Sequence, residues 1–370
     1  MIASVERSFV SGEVYAPPSK SYTHRAILIT SLGAGGKVLR PLLSADTLAT
    51  VSASEAFGAR ISKEREKDDL FIQGVRDLPQ TPEDVIDVLN SGTTLRFCSA
   101  VAALTEGAIL TGDSSIRTRP NGPLLTSLTE LGADAFSIKN NGKAPLVIRG
   151  KMSGGTAHLQ GGLSSQFLSA LLIACPLAEN DTRIVIEGEL KSRPYAEITL
   201  DMLFDAGIKI EEEEQEFIVP GGQSFALKEY TIPGDFSSAS YPLAAAAVTG
   251  SEVTVKGVLP SRQGDSAIID ILTRMGAQVS WNRESGDLKI KGGELEGVEV
   301  DASRTPDLVP TIAVLGAVAK GDTTVVNAEH VRHKETDRLH AMAVELAKMG
   351  AEIKERPDGL EITGGKLHGA

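Results

Sequence analysis

Five segments of the chain alternate apolar and polar residues, and each starts beside a glycine. The first reads "FGARISKEREKDDLFIQG" from Phe57, and the last reads "MGAEIKERPDGLEITGG" from Met349. Two alternating runs joined by a turn through Asn, Gly or Asp predict a β-hairpin. The glycine suits the left-handed conformation that ends many helices. These glycines recur every 69 to 75 residues, at Gly58, Gly132, Gly207, Gly276 and Gly350.

Apolar stretches of helical length lie between the hairpins, among them "TLRFCSAVAAL", "SQFLSALLIACPL" and "SASYPLAAAAV". The regular period therefore predicts an α/β fold built from a repeated βαβαββ unit: strand, helix, strand, helix and hairpin. A sixth hairpin would need residues beyond Ala370. Because an open unit leaves apolar faces and strand edges uncovered, we expect the last repeat to be incomplete and a C-terminal piece to be absent.

Two segments rich in Pro, Gly or charge interrupt this pattern: "APPSK" near the start and the stretch from Glu211 to Asp235. If both are crossovers, the N-terminal strand pairs with the second half of the chain. This organisation predicts two domains, one of residues 18–230 and a discontinuous one of residues 1–17 plus 231–370. A chain of 370 residues is also long for one compact core.

The net charge of the chain limits the kinds of partner that it is expected to bind. A formal net charge of −12 argues against a nucleic acid or an anionic membrane as the main partner, so an anionic ligand would need a local cluster of cations. Cys98 and Cys175 lie in apolar helical stretches, which predicts buried thiols in a reducing compartment. The N-terminus lacks the apolar block of a signal peptide, and no apolar run approaches a membrane span, so we expect a cytoplasmic protein.

Several predicted helix starts in the first half combine hydroxyl groups, glycine and cations. The unpaired N–H groups of a helix start attract anions, and Lys and Arg add full charge. Each start alone also fits an ordinary capped helix, but the recurrence predicts one anion-binding surface. The residues concerned are Lys20, Ser21, Arg25, Gly92, Arg119, Ser164, Ser165, Gln166, Ser192 and Tyr195, with Pro120 and Pro194 in predicted first turns.

The second half supplies acids. Asp307 is predicted at a helix start, and "RHKETDRL" places Lys334 and Arg338 four residues apart on one predicted helical face, with Glu335 beside them. The alternative is an exposed, salt-bridged helix start. In a cation-rich site the two acids could exchange protons. Three histidines near this segment form only a weak metal pattern, and no phosphate-binding loop of the Walker or dinucleotide type is present.

Taken in order, the motifs "PPSKSYTHRAIL", "NSGTTLRF", "SSQFLSALL", "KSRPYAEITL" and "KETDRL" closely resemble EPSP synthases, or 3-phosphoshikimate 1-carboxyvinyltransferases, over almost the whole chain. The resemblance implies a two-domain inverse α/β barrel-like fold whose halves close around the substrates. It implies transfer of the enolpyruvyl group of phosphoenolpyruvate to the 5-hydroxyl of shikimate 3-phosphate, with release of phosphate, on the route to chorismate and aromatic amino acids. It implies no metal or organic cofactor, and a monomer.

The resemblance also implies residue roles. Lys20 would touch both substrates, Asp307 would accept the proton of the 5-hydroxyl, and Glu335 would donate one to the methylene carbon. The other implied contacts with shikimate 3-phosphate are Ser21, Arg25, Ser164, Ser165, Gln166, Ser192, Tyr195, Asp307 and Lys334. The other implied contacts with phosphoenolpyruvate are Gly92, Arg119, Gln166 and Arg338.

Some features depart from the family pattern. The family's Asp-His-Arg motif and late lysine, expected after "EITGG", are absent, so a form that binds shikimate 3-phosphate with little turnover is an alternative. Phe97 stands where proline is common, which leaves the response to glyphosate open. The second alternative is the related UDP-N-acetylglucosamine enolpyruvyl transferase. That enzyme uses a loop cysteine, whereas the loop from Gly112 to Arg119 has none, and "SKS" replaces its Lys-Asn.

Overall fold

The computed structural model describes residues 8–64, 67–76 and 78–370. It divides into two compact units. The first unit is Pro18–Ile232, and the second is the segment that ends at Pro17 together with Pro233–Ala370. Within the described residues, no helix is both long and apolar enough to cross a membrane.

Strands and short helices alternate along the chain. Up to residue 232 the elements are β1 Ser11–Tyr15, α1 Lys20–Leu32, β2 Gly35–Leu39, α2 Ala45–Ala56, β3 Arg60–Lys63, β4 Leu70–Gln73, β5 Ile86–Asp87, α3 Gly92–Ala102, β6 Gly107–Thr111, α4 Gly122–Glu130, β7 Asp134–Ser137, β8 Leu146–Arg149, β9 Gly155–Gln160, α5 Ser165–Ala174, β10 Thr182–Glu187, α6 Arg193–Asp205, β11 Glu211–Glu213, β12 Glu216–Val219 and β13 Glu229–Thr231. Beyond it they are α7 Phe236–Thr249, β14 Glu252–Lys256, α8 Ile268–Arg274, β15 Gln278–Asn282, β16 Asp287–Lys291, β17 Glu299–Asp301, α9 Val309–Val318, β18 Asp322–Val326, α10 Arg338–Lys348, β19 Glu352–Arg356 and β20 Gly359–Thr363.

The described strands form five four-stranded sheets with one shared topology. In each, a strand pairs in parallel with a second strand, which pairs antiparallel with the second arm of a hairpin, and the first arm forms the edge. The first unit holds β13-β2-β4-β3, β5-β6-β8-β7 and β9-β10-β12-β11, and the second holds β1-β14-β16-β15 and β17-β18-β20-β19. The predicted α/β repeat and its five hairpins are confirmed.

The two crossovers exchange the leading strands of two repeats. β1 continues into α1 but pairs in parallel with β14, from Ser11 with Glu252 to Tyr15 with Lys256. β13 continues toward α7 but pairs in parallel with β2. The N-terminal strand therefore belongs to the sheet of the second half, as the proline-rich segment predicted.

Each unit has its own hydrophobic core. Phe97 and Phe167 are buried in the first unit, and Phe236 in the second. Cys98 and Cys175 are fully buried in the first core, as predicted, and both thiols are free of disulfides. Burial raises the pKa of each thiol to about 12, so both stay protonated at neutral pH.

One turn differs from its prediction. Pro120 does not lie in a helical first turn, because α4 begins two residues later and its cap residue is Asn121. The buried Asn121 amide folds back to donate from Nδ2 to the carbonyl oxygen of Arg119, at 3.0 Å, which fixes the loop before the helix. Pro123 fills the first-turn position of α4, whereas Pro194 fills that of α6 as predicted.

We expect Gly207→Ala to lower the free energy of unfolding by about 1–2 kcal/mol, the cost of a left-handed backbone for an L-residue. Gly207 ends α6 with a φ of 84°, and an added Cβ would meet no atom within 4 Å, so the effect is purely conformational. Gly122→Ala is the matched control, since its Cβ also meets no atom but its φ is not positive. Denaturant unfolding of both variants measures the difference, and equal effects would contradict the assignment of Gly207 as a helix-ending glycine.

Candidate active site

The start of α1 carries two of the predicted residues in the first unit. Lys20 and Ser21 are its first two residues, and its first turn contains no acid. Lys20 Nζ donates to Asp46 Oδ2 at 3.1 Å, and 45% of the Lys20 side chain is exposed. The half-exposed side chain of Lys20 therefore belongs to the first residue of a helix, and the N–H groups of a helix start and a cation both favour an anion.

Arg25, in the second turn of α1, is almost entirely buried, at 2% exposure. Nε donates to Thr199 Oγ1 at 2.6 Å, and Nη2 donates to Ser169 Oγ at 3.2 Å and to the Tyr195 carbonyl at 2.7 Å. Nη1 donates to the Ser21 carbonyl at 2.9 Å, so one N–H of Nη1 has no partner among the described residues. Burial lowers the pKa of Arg25 to about 10, which still leaves it charged at neutral pH.

Phe97 supports this guanidinium. Its ring centroid lies 5.2 Å from Arg25 Cζ, within the range of a cation–π contact. The ring is itself 1% exposed. A proline at this position has no aromatic face, so the departure from the family pattern adds a contact to a predicted site residue.

Arg119 and Gly92 lie against each other. Arg119 is 7% exposed, and its Nη2 donates to Asn90 Oδ1 at 2.8 Å and to Ser115 Oγ at 3.2 Å. Its Nε is buried without a hydrogen-bond partner in the described part of the chain. A Cβ on Gly92 would lie 2.8 Å from Arg119 Nη1, so glycine leaves room for the guanidinium at the start of α3. A buried cation with an unused donor is suited to hold an anion.

The start of α5 carries Ser164, Ser165 and Gln166. Ser164 is the cap residue, and its Oγ accepts from the backbone N–H of Gln166 at 3.3 Å. The Gln166 amide is fixed on both sides, because Oε1 accepts from Arg96 Nη1 at 2.5 Å and Nε2 donates to Thr93 Oγ1 at 3.0 Å. Nε2 carries a second N–H besides the one that it donates to Thr93.

Ser192, the cap residue of α6, adopts a left-handed backbone with φ 55° and ψ 33°. The conformation is uncommon for a residue other than glycine and is often kept at functional sites. Its buried Oγ has no hydrogen-bond partner among the described residues. Tyr195 lies three residues on, 8% exposed, and its carbonyl holds Arg25. A strained position with an unused hydroxyl is typical of a ligand contact.

In the second unit, Arg338 joins the two predicted acids. Its Nη1 donates to Asp307 Oδ1 at 2.5 Å, and its Nη2 donates to Glu335 Oε2 at 3.0 Å. Nη1 also donates to the Pro306 carbonyl at 2.9 Å. Burial opposes the charge of Arg338, but the carboxylates of Asp307 and Glu335 outweigh it and raise the pKa of Arg338 above its usual value. The guanidinium thus holds two carboxylates side by side.

The prediction that Lys334 and Arg338 share one helical face is wrong. Residues Glu329–His333 form a 3₁₀-helix, Lys334 follows it in an extended conformation, and α10 begins only at Arg338. Asp337 fixes this boundary, because its Oδ1 accepts from the backbone N–H of His340 at 3.1 Å. Glu335 and Arg338 meet across the cap, whereas Lys334 lies outside the helix.

Comparison with known proteins places the chain in a family. The family model for EPSP synthase (3-phosphoshikimate 1-carboxyvinyltransferase) matches residues 5–370. The chain belongs to the EPSP synthase family. A relative named 3-phosphoshikimate 1-carboxyvinyltransferase from Methanothrix thermoacetophila is 69% identical over 365 residues, which cover 99% of this chain and 86% of the relative. A relative of the same name from Methanocella arvoryzae is 60% identical over 373 residues, covering 100% of this chain and 87% of the relative.

Solved structures of EPSP synthases have the same fold as this chain. The EPSP synthase from Acinetobacter baumannii, solved at 2.37 Å, matches with a TM-score of 0.80 and 28% identity, over 97% of this chain and 83% of that chain. A second structure of the EPSP synthase from the same organism gives a TM-score of 0.79 at 27% identity, over 97% of this chain and 83% of that chain. The α/β fold predicted from the repeats is therefore that of EPSP synthases. Within the described residues, no group of three or more His, Cys, Asp or Glu side chains is arranged to hold a metal ion.

Two residues of the motif "NSGTTLRF", Asn90 and Arg96, were assigned no role from the sequence, yet they hold predicted site residues. Arg96, 6% exposed, bonds to Gln166 and lies 4.9 Å from the Phe167 ring centroid. Asn90 accepts from Arg119 and donates to Asp113. An arginine inside the apolar run of α3 was the available signal for Arg96, because a buried cation needs specific partners. Asn90 looked like an ordinary turn residue.

Proposed function

We propose that this chain transfers the enolpyruvyl group of phosphoenolpyruvate to the 5-hydroxyl of shikimate 3-phosphate and releases phosphate. The match of the EPSP synthase family over residues 5–370, with relatives of that activity's name at up to 69% identity, carries the proposal. The names of these relatives do not favour the UDP-N-acetylglucosamine alternative. We further propose that the chain works as a cytoplasmic monomer on small anionic substrates.

For shikimate 3-phosphate, we assign the groups around α1, α5 and α6 in the first unit. The unused N–H of Arg25 and the unused Oγ of Ser192 are buried polar groups that a phosphate or hydroxyl would satisfy. The start of α1 adds the Lys20 ammonium. The remaining assigned contacts are Ser21, Ser164, Ser165, Gln166 and Tyr195 of the first unit, with Asp307 and Lys334 of the second.

For phosphoenolpyruvate, we assign Arg119 as the main cation of the first unit. Its buried Nε has no partner in the described chain, and the lack of a Cβ on Gly92 leaves room at its Nη1. Gln166 presents an N–H, and Lys20 contributes charge toward both substrates. Arg338 is the assigned cation of the second unit. Because both substrates are multiply charged anions, these cations offset the repulsion between them.

Two acids are sufficient for the proton transfers. We assign Asp307 as the acceptor of the 5-hydroxyl proton while that oxygen bonds to carbon 2 of phosphoenolpyruvate. We assign Glu335 as the donor of a proton to the methylene carbon. Return of a methyl proton to the Glu335 carboxylate, transfer of the proton held by Asp307 to the departing phosphate, and cleavage of the bond between carbon 2 and the phosphate oxygen then give the enol ether and inorganic phosphate. Arg338, bonded to both carboxylates, holds the acid and the base in position.

The test is an acceptor comparison. Phosphate release from phosphoenolpyruvate is measured with shikimate 3-phosphate and, separately, with UDP-N-acetylglucosamine. We expect release only with shikimate 3-phosphate, together with a calorimetric binding signal for that compound alone. Binding without release would favour the form that binds with little turnover, and release with the sugar nucleotide would contradict the assignment.

Ser192→Ala separates binding from folding. We expect affinity for shikimate 3-phosphate to fall about tenfold, the loss of one hydrogen bond to a charged group. The free energy of unfolding should change by less than about 0.5 kcal/mol, because the hydroxyl has no partner within the described residues. Ser31→Ala is the matched control, since Ser31 is also buried in the first unit with an unpartnered Oγ. Calorimetry and denaturant unfolding check both variants, and equal affinities would refute the contact.

A further inference from the structure

Three helices of the first unit are joined by a buried line of hydrogen bonds that the proposed chemistry does not use. His24 Nδ1 of α1 lies 2.6 Å from Thr50 Oγ1 of α2. Thr50 Oγ1 lies 2.7 Å from Thr94 Oγ1 of α3, which lies 2.6 Å from Ser91 Oγ. All four side chains are at most 1% exposed. Buried polar groups satisfied in series fix the elements that carry them.

A second set of contacts closes the line into a circuit. Thr94 Oγ1 also lies 3.4 Å from the carbonyl oxygen of Asp46, in the first turn of α2. The Asp46 carboxylate accepts from Lys20 Nζ at 3.1 Å. The circuit therefore starts and ends on α1, at His24 and Lys20, and passes through α2 and α3.

The line ends at the turn that holds Arg119. Ser91 caps α3, and its Oγ accepts from the backbone N–H of Thr94 at 3.2 Å. Asn90, just before it, accepts from Arg119 Nη2, and Gly92, just after it, makes room for Arg119 Nη1. Movement of Ser91 would thus move both residues that shape the guanidinium site.

His24 takes part as a neutral group. Its Nε2 is buried without a hydrogen-bond partner in the described chain, so an imidazolium would leave an N–H unpaired. Burial, and then the charges of Lys20 and Arg25, hold the pKa of His24 well below its usual range. Each hydroxyl in the line has one hydrogen to donate and two lone pairs to accept. With His24 neutral and its Nδ1–H donating to Thr50, Thr50 donates to Thr94. Thr94 accepts also from Ser91 and donates to the Asp46 carbonyl.

We propose that His24, Thr50, Thr94 and Ser91 are positioning residues that form a hydrogen-bonded relay. The relay holds the turn that contacts Arg119 at a fixed position relative to the first turn of α1. This inference rests on the proposed function, since that function assigns phosphoenolpyruvate to both Lys20 on α1 and Arg119 beside α3. The relay acts on the spacing of these cations and touches no assigned substrate atom. Shikimate 3-phosphate alone, assigned mainly to α1, α5 and α6, should depend on it little.

Thr50→Val tests the relay, because it removes the central hydroxyl and keeps the shape of the side chain. We expect kcat/KM for phosphoenolpyruvate to fall about tenfold, as for one lost hydrogen bond, with the Kd for shikimate 3-phosphate within about twofold of wild type. Amide hydrogen exchange of residues 91–95 should be at least about fivefold faster. Thr50→Ser, which keeps the hydroxyl, should restore all these values.

Thr30→Val is the matched control, since Thr30 is a buried threonine of α1 whose Oγ1 has no partner among the described residues. It should leave both kinetics and exchange unchanged. Equal exchange at residues 91–95 in wild type and Thr50→Val, or the same kinetic loss in Thr30→Val, would overturn the relay. An inactive wild type would contradict the proposed function instead. The comparison of amide hydrogen exchange in wild type and Thr50→Val would still show whether the relay exists.

Discussion

Asp307→Asn is expected to lower kcat by about 10²–10⁴-fold, the usual contribution of a positioned general base. Asparagine keeps the size of the side chain and an oxygen that can accept from Arg338, so the contact at 2.5 Å can persist. It cannot take up the proton of the 5-hydroxyl. The loss should therefore fall on kcat, and KM for shikimate 3-phosphate should change by less than about threefold.

The matched control for this variant is Asp322→Asn, in the same unit. Asp322 Oδ1 accepts from Thr363 Oγ1 at 2.7 Å in an exposed position, and an amide oxygen can accept the same bond. Steady-state kinetics of both variants, with thermal unfolding to confirm the fold, measure the effect. A kcat for Asp307→Asn within a factor of ten of wild type would remove Asp307 from the chemistry.

Arg119→Lys is expected to reduce kcat/KM for phosphoenolpyruvate by about 10²–10³-fold, as for a lost donor at a developing charge. Lysine keeps the positive charge but not the planar fork. The fork matters because Nη2 is used by Asn90 and Ser115, Nη1 lies at the space that Gly92 leaves open, and Nε is buried without a hydrogen-bond partner in the described chain. A single ammonium cannot make both sets of bonds.

Arg117→Lys provides the comparison, since Arg117 lies in the neighbouring 3₁₀-helix with an exposed side chain. It should retain wild-type kinetics. Calorimetric affinity for shikimate 3-phosphate should stay within about twofold in both variants, because the assigned contacts of that substrate do not include Arg119. Wild-type kcat/KM in Arg119→Lys would show that the buried guanidinium holds only its own loop.

The sequence predicted the features that depend on local pattern. Hairpins and helix-ending glycines follow from alternation and backbone conformation over a few residues, so Gly58 and Gly350 could be placed without a structure. The pairing of β1 with β14 could also be predicted, because proline-rich crossovers divide the repeats. The start of α10 could not, since one cap bond from Asp337 outweighed the charge spacing of Lys334 and Arg338.

The parts of the candidate site that the sequence did not predict are contacts between distant segments. The sequence predicted Arg25 as an anion-binding residue near Lys20, but not its partners Ser169 and Thr199, which lie more than 140 residues away. Arg96 and Gln166 are 70 residues apart. No local periodicity encodes such pairs, because they arise only when the repeats pack together. The motifs therefore identified candidate residues, and the packing determined which donors remain for a ligand.

The proposed enolpyruvyl transfer is tested most directly with phosphoenolpyruvate whose bridging oxygen, between carbon 2 and phosphorus, is oxygen-18. Enolpyruvyl transfer breaks the bond between carbon 2 and this oxygen, so the account predicts labelled inorganic phosphate and an unlabelled enol ether of shikimate 3-phosphate. Mass spectrometry of both products reads the result. Labelled pyruvate with unlabelled phosphate would mean cleavage at phosphorus and would contradict the proposed function.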